Sequence, residues 1–316
     1  FNRLFSAERA AKPAFLGAKQ LEAFSLSEIQ RYIDWTFFFT AWELKGKYPA
    51  ILDSPKYGEA ARELFEHGTA LLDGIIADKK LTANGVYGFW PANADGEDIV
   101  VFSPDGSGSE LLRFNMLRQQ PRQGREGPCR SLADFVAPID SGITDYIGAF
   151  AVTAGIGADA LAADYERDND DYNAIMVKAL ADRCAEAFAE LLHQRARRDW
   201  GYGSAEELSN EDLIAEKYRG IRPAFGYPAC PDHSEKAKLF QLLEPSGLGI
   251  GLTDSFAMTP AASVSGIYLA HPDARYFTIG RIARDQVEDY AARKGVALSQ
   301  AEAWLRPNLA YDESGD

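Results

Sequence analysis

The stretch GIRPAFGYPACPDHSEK, Gly220 to Lys236, limits this chain more than any other, because it suits neither a helix nor an inner strand. Pro223, Pro228 and Pro231 each lock φ and remove a backbone donor, and they push the residues before them, Arg222, Tyr227 and Cys230, toward extended backbone. The expectation is an ordered, extended loop. Gly226 allows a positive φ or the close approach of a ligand. Arg222 offers a planar fork of donors matched to a carboxylate or phosphate, and Tyr227 a flat apolar face with a polar tip. Such a loop suits the holding of a small polar ligand. A tight connection whose Arg222 makes only a salt bridge is the competing reading, and the loop alone does not separate the two.

The 316 residues suffice for one large domain or two ordinary ones. Hydrophobic residues at 46% and charged residues at 25% exclude a disordered or fibrous protein. A net charge of −14 argues against a nucleic-acid surface, which needs a basic stripe to displace counterions. Cys129, Cys184 and Cys230 are odd in number and scattered, so they form no disulfide framework and point to a reducing, cytoplasmic setting. No stretch reaches membrane-spanning length, and FNRLFSAERA lacks the basic-then-apolar order of a signal peptide, so no membrane partner is expected. The first residue is Phe rather than Met, which suggests a piece of a longer polypeptide.

Residues 1–24 have no sustained period and read as an N-terminal arm or linker ahead of a domain at 25–316. Ser25 and Glu28 form a capping-box pattern for a helix through Ile29, Tyr32, Ile33 and Phe37 to Trp42. Asp34 lies within it; spacing alone has it face solvent or cap backbone, whereas beside a ligand groove it would accept from an amine. Tyr57 to Lys80 is a long amphipathic helix, and its lone His67 reads as a packed or exposed side chain. The period then changes, with GVYGFWPA, DIVVFS and LLRFNMLRQQ as strands joined by turn-rich NADGED and PDGSGS.

YIGAFAVTAG is a further strand. GIGADA after it fits G-x-G-x-x-A, but the acids from Asp164 to Asp171 form a solvated run with no second strand to present one to a ribose, so no dinucleotide site is expected. The longest helix runs from about Tyr172 to Trp200, capped by Asp170 or Asp171. Asp182, Glu186 and Glu190 line one of its faces at intervals of four, with three explanations open: a solvated acidic face, cationic partners elsewhere in the chain, or a docking surface for a cationic or histidine-bearing partner. Ser204 to Lys217 and KAKLFQLLEP read as helices, and GIGLTDSFAMTP, ASVSGIYLA and ARYFTIGR as strands. Two short helices, Asp285 to Lys294 and Ser299 to Leu305, follow.

Cys230 and His233 lack a second ligand pair with sensible spacing, so no metal site is expected. A serine nucleophile elbow, a P-loop and an HExxH pair are absent from the sequence, which favours a binding module over a free-standing hydrolase or kinase.

Six separated blocks in order, YIDWTFFFTAWELKGKYP, GVYGFWPA, DDYNAIMVKALADRCAEAFAELLH, GIRPAFGYPACPDHSEK, SVSGIYLAHPDARYF and RDQVEDYAARKG, resemble the C-terminal activation domain of cobalamin-dependent methionine synthase from about Lys12 onward. The resemblance implies an α+β fold, a single C-shaped domain with a central twisted antiparallel sheet surrounded by helices. It implies a shallow S-adenosylmethionine groove, with Arg222 on the ligand carboxylate and Asp34 on its amino group, reversing the reading of Asp34 from spacing alone. Gly226, Tyr227 and Ala229 match loop positions lining that groove, Tyr276 and Phe277 a strand beside the adenosine, and Glu216 an acid near the ribose. Asp182 and Glu186 match positions that face a cobalamin-binding module, on the same or a separate polypeptide.

The implied function is to dock on that module and allow reductive methylation of cob(II)alamin, reactivating methionine synthase in methionine biosynthesis. A flavodoxin-like electron donor is implied too, and the basic loop Arg118 to Arg130 is its expected contact. The chain lacks the D-x-H-x-x-G cobalamin pattern and the cysteine zinc site for homocysteine, so it is not expected to turn over alone, whether an excised domain or a stand-alone relative. Phe225 stands where the family usually has a second proline, which implies a less rigid loop with a large ring beside Gly226. The alternative is an interaction scaffold for a cobalamin protein that has lost S-adenosylmethionine binding.

Overall fold

The computed structural model describes residue 5 and residues 11–120 and 127–312. The first strand, β1 (Gly17–Phe24), falls inside the segment expected to be an arm. It pairs antiparallel with the next strand of the sheet, Gly17 opposite Phe89. Its mostly exposed side chains explain why no apolar period marks it: backbone pairing, rather than a buried face, holds this strand. Close approach is possible because residue 88 is glycine, where a Cβ would sit 2.2 Å from the Gly17 carbonyl oxygen.

The helix expected from Ser25 to Trp42 is two helices. Ser25 accepts from the Glu28 N–H at 3.3 Å and starts α1 (Leu26–Ile29), but the chain then tightens and extends at Ile33. Asp34 restarts it as the N-cap of α2 (Trp35–Ala41), accepting the Thr36 N–H at 2.9 Å. The amphipathic helix forms as expected, as α3 (Gly58–Ala77).

Next come β2 (Thr82–Asp95), β3 (Asp98–Phe102), β4 (Glu110–Asn115) and β5 (Asp145–Ile156). At 14 residues β2 is far longer than the ~5–6 of an ordinary strand, and it is the spine of the sheet. Residues 83–89 pair with β1 and residues 92–95 with β3, while β5 covers nearly the whole of the other edge. Then follow α4 (Ala158–Arg167), α5 (Asp171–Asp199), the short α6 (Asn210–Ile214) and α7 (Glu235–Leu243). The two-residue strands β6 (Gly251–Leu252) and β7 (Met258–Thr259) pair with each other, and β8 (Ser263–Tyr268) joins the main sheet beside β5. The last helices are α8 (Arg284–Lys294) and α9 (Leu298–Leu305).

The main sheet has the order β4-β3-β2-β5-β8, with β1 also on β2, and every pairing is antiparallel. That removes the parallel crossover a dinucleotide fold requires, so GIGADA is a strand-to-helix turn. Alternate residues of β2 and β5 fill two different cores. Tyr87, Phe89, Phe150 and Val152 pack with Phe38, Leu72 and Phe188 under α2, α3 and α5, whereas Val86, Trp90, Ala149 and Ala151 pack with Phe114, Phe135 and Leu239 on the opposite face. Burial on both faces is why GVYGFW reads as a nearly continuous apolar run.

Two further expectations are corrected. Of Ser204 to Lys217 only α6 is helical, because a Ser209–Asp212 capping box starts the helix afresh and Glu216 ends the segment at φ +53°. ARYFTIGR is not a strand. It is an extended loop whose backbone bonds go to other loops: Ile279 N–H donates to the Pro228 carbonyl at 2.8 Å, and the Gln119 amide to the Thr278 carbonyl at 2.7 Å. No helix among the described residues is long and apolar enough to cross a membrane.

Candidate functional site

The proline-rich loop runs along the open side of β8 without becoming a regular strand. Ile221 and Leu269 exchange backbone hydrogen bonds at 3.0 Å, and the Ile267 N–H donates to the Pro223 carbonyl at 3.0 Å. Arg222, between these anchors, therefore has a fixed backbone, and its own N–H donates to the Tyr276 hydroxyl at 3.0 Å. Its side chain lies in a cavity of about 850 Å³ enclosed by the loop, α5, the junction before α2, the segment around α6 and residues 276–278.

Most of the residues singled out from the sequence line this one cavity. Asp34, Glu186, Glu216, Arg222, Tyr227, Ala229, Tyr276 and Phe277 all do. Gly226 is not on its wall but shapes the turn behind it. Its N–H donates to the Cys230 carbonyl at 2.8 Å, its φ is +94°, and a Cβ would lie 2.3 Å from the His233 ring, so only glycine fits. Asp182 also lies off the wall, exposed and paired with Arg183. Of the two residues expected to face a partner module, Glu186 is on the cavity wall and Asp182 lies one helical turn away, outside it.

Phe225 corrects an expectation. Its ring is 1% exposed and stacks on Phe114 at 5.1 Å in the core on the far side of the loop, so it adds nothing beside Gly226 on the groove side. An apolar side chain in an alternating extended segment goes to the dry face, as Phe225 does while Arg222 faces the cavity.

Asp34 caps α2 and also reaches the groove wall. A carboxylate has about four acceptor sites, so capping and ligand contact are compatible. Arg222 donates to Glu190 Oε2 at 2.8 Å. Burial works against the Arg222 charge, but the nearby Glu190 carboxylate outweighs it and leaves the guanidinium above its ordinary pKa. Burial pushes the Glu186 and Glu216 carboxyls up, with Arg222 opposing in each case.

Glu190 was visible in the sequence only as the third acid of a repeat; its cationic partner lies 32 positions away, so the open choice at this residue falls on a partner elsewhere in the chain. Phe37 and Ile214, 59% and 45% exposed on the cavity rim, carried no signal beyond their apolar character. Cys230 is a buried thiol donating to the Ala224 carbonyl at 3.0 Å, and no group of three or more potential metal ligands gathers among the described residues. Of the basic loop Arg118 to Arg130, residues 121–126 lie outside the described residues, and Arg118 is engaged by Glu97 at 2.5 Å and Asp134 at 2.8 Å.

Fold and groove together define the class: an α+β domain whose central antiparallel sheet carries, along β8, a largely apolar groove with Arg222 and several carboxylates in its wall. The family model for the vitamin B12 dependent methionine synthase activation domain matches residues 25–295, and the chain belongs to this family. Among solved structures it is similar to the MetH reactivation domain bound to AdoHcy, with 51% identity, a TM-score of 0.91, and coverage of 98% of this chain and 96% of that one.

Proposed function

We propose that this domain binds S-adenosylmethionine in the groove and docks on a cobalamin-binding module, so that a cob(II)alamin held there is reductively methylated and methionine synthase is reactivated. The observation that carries the reading is Arg222, a mostly buried guanidinium with a spare Nε–H, in a cavity that also contains Asp34. A solved relative holding AdoHcy, which differs from S-adenosylmethionine by the sulfonium methyl, supports the ligand class. A cavity of about 850 Å³ lies within the ~300–1,000 Å³ usual for small-molecule sites.

In this reading Arg222 takes the ligand carboxylate and Asp34 its amino group. Tyr227 and Ala229 flank the chain on one side, Tyr276 and Phe277 pack on the adenosine, and Glu216 meets the ribose. S-adenosylmethionine, when bound, supplies a methyl group activated by the sulfonium charge; the residues of this chain orient it and keep water away. Asp182 and Glu186 face the cobalamin module, and a flavodoxin-like donor contacts the Arg118 to Arg130 loop, in a cytoplasmic setting. Of the two motives for the scaffold alternative, the absence of a cobalamin module from the sequence stands, while Phe225 is turned into the core and away from the groove.

Titration calorimetry with S-adenosylmethionine tests the reading. Saturable heat is expected for the unaltered chain, and Arg222→Ala is expected to lose about 1.5–3 kcal/mol of binding free energy. No saturable heat, or equal binding by the variant, sinks it.

A further inference from the structure

We propose that Glu190, on the groove wall, is a positioning residue: it holds the Arg222 side chain turned toward the ligand carboxylate and acts on binding through Arg222. The inference rests on the reading that Arg222 takes that carboxylate.

Three observations converge on Glu190. The Arg222 backbone is pinned on both sides, through Ile221 and Pro223 on β8 and through its N–H on Tyr276, so the remaining freedom lies in the side chain. Among the described residues Glu190 is the one acid in ion-pair contact with that side chain, at 2.8 Å, and both are largely buried, 10% and 21% exposed. A buried guanidinium without a carboxylate partner is costly, so the position of Glu190 on the long helix α5 decides where the guanidinium rests.

Among the described residues no cation other than Arg222 pairs with Glu190. His193, one turn along α5, is fully buried between Tyr268, stacked at 5.0 Å, and Tyr218, edge-on at 4.9 Å. Burial, with Arg197 and Arg222 close by, holds its ring neutral. Arg197, the next cation on that face, is engaged by Glu206 at 2.9 Å. The contact between Glu190 and Arg222 is also incomplete: Glu190 Oε1 and Arg222 Nε are buried and without partners. A single-armed contact fixes the guanidinium while leaving donors for a second carboxylate.

A rival role has the opposite sign. If Glu190 merely competes with the ligand for Arg222, removing it tightens binding. Calorimetry on the whole chain with S-adenosylmethionine, and with its decarboxylated analogue, separates the two. Positioning predicts that Glu190→Ala weakens S-adenosylmethionine about tenfold, leaves the analogue within about twofold, and that Glu190→Gln recovers part of the loss. It also predicts that Glu190→Ala combined with Arg222→Ala binds no more weakly than Arg222→Ala alone, since the first residue acts through the second.

Tighter binding of S-adenosylmethionine, equal losses for both ligands, or additive losses in the double variant would each overturn the proposal. If thermal melting shows Glu190→Ala unfolded, Glu190→Gln carries the same comparisons, with a smaller loss in the same direction. Failure of the underlying reading looks different: the unaltered chain gives no saturable heat, or Arg222→Ala binds as well as it does, and the proposal falls with it.

Discussion

At the junction of α7 and α8, Lys294 is held by Asp232 at 2.8 Å and by Glu235; Lys238 reaches Glu235 at 2.7 Å and Asn115 at 2.6 Å, and the Tyr290 hydroxyl donates to Asp232 at 2.6 Å. In the groove Arg222 meets Glu190 through one arm. Both regions bury opposite charges. At the junction the charged groups, Asp232, Glu235 and Lys294, and with them Asn115 and Tyr290, leave no buried polar atom without a partner, and Ser234 Oγ beside them is open. In and behind the groove, by contrast, the charged pair itself is open: Arg222 Nε and Glu190 Oε1 have no partner, and neither do the two His193 ring nitrogens or the Tyr218 and Tyr268 hydroxyls. A closed network holds structure. Buried polar groups left open mark the place where a ligand or ordered water completes the bonding. Charge alone would not have told the two apart.

The sharpest way to break this comparison is to open the closed network. Glu235→Ala leaves Lys294 with Asp232 alone and Lys238 with Asn115 alone and removes the acceptor of the Asn115 N–H, so a stability loss of about 2–3 kcal/mol is expected in urea unfolding, with unchanged S-adenosylmethionine affinity in the folded fraction. A loss under 1 kcal/mol would show that the junction does not hold the fold. Arg222→Ala is the mirror case, with its larger effect on affinity.

Asp34→Asn sharpens the groove side further. Asparagine caps a helix as well as aspartate does, so α2 should stay intact while the ligand amine loses a charged acceptor, at about 1.5 kcal/mol by calorimetry. A falling melting temperature with unchanged affinity would return Asp34 to a purely capping role.

The smallest expected effect is in pH. Burial raises Glu186 and Glu216, so whatever stability they contribute is complete below the ordinary carboxylate range and is lost as pH rises through their elevated values. Asp232 is the reverse: burial opposes its ionisation, but Lys294 prevails and lowers its pKa, so its contribution is present above the ordinary carboxylate range and lost as pH falls through the depressed value. Glu186→Gln should therefore raise the stability of the unliganded chain at pH 7 by about 0.5 kcal/mol, with the gain fading toward pH 4. Asp232→Asn should destabilise at pH 7, with the cost shrinking on acidification. Thermal melts across that range check both signs, and a difference independent of pH would contradict them.

Much of the fold was legible because its signals are local. The 3.6-residue period of α3 and α5, the turn residues between β2, β3 and β4, and the alternation that sends Tyr87 and Val86 to opposite cores all act within a few positions of one another. β1 escaped notice because backbone pairing holds it, and the 275–281 stretch misled because an extended loop bonded to other loops has the alternation of a strand. The groove was less legible still. Asp34, Glu190, Arg222 and Tyr276 come from four distant parts of the chain, and without the resemblance Asp34 reads as a helix cap, which it also is.

By itself the sequence determined that the stretch from Gly220 is an ordered loop, because proline and glycine act on the backbone of their own residue and the one before it; the loop ends at Ser234, and Glu235 and Lys236 already belong to α7. Tertiary structure alone decided which way its side chains turn. Phe225 lies inward on Phe114 and Arg222 outward on Glu190, since burial and pairing are set by residues that become neighbours only when the sheet and α5 close around the loop.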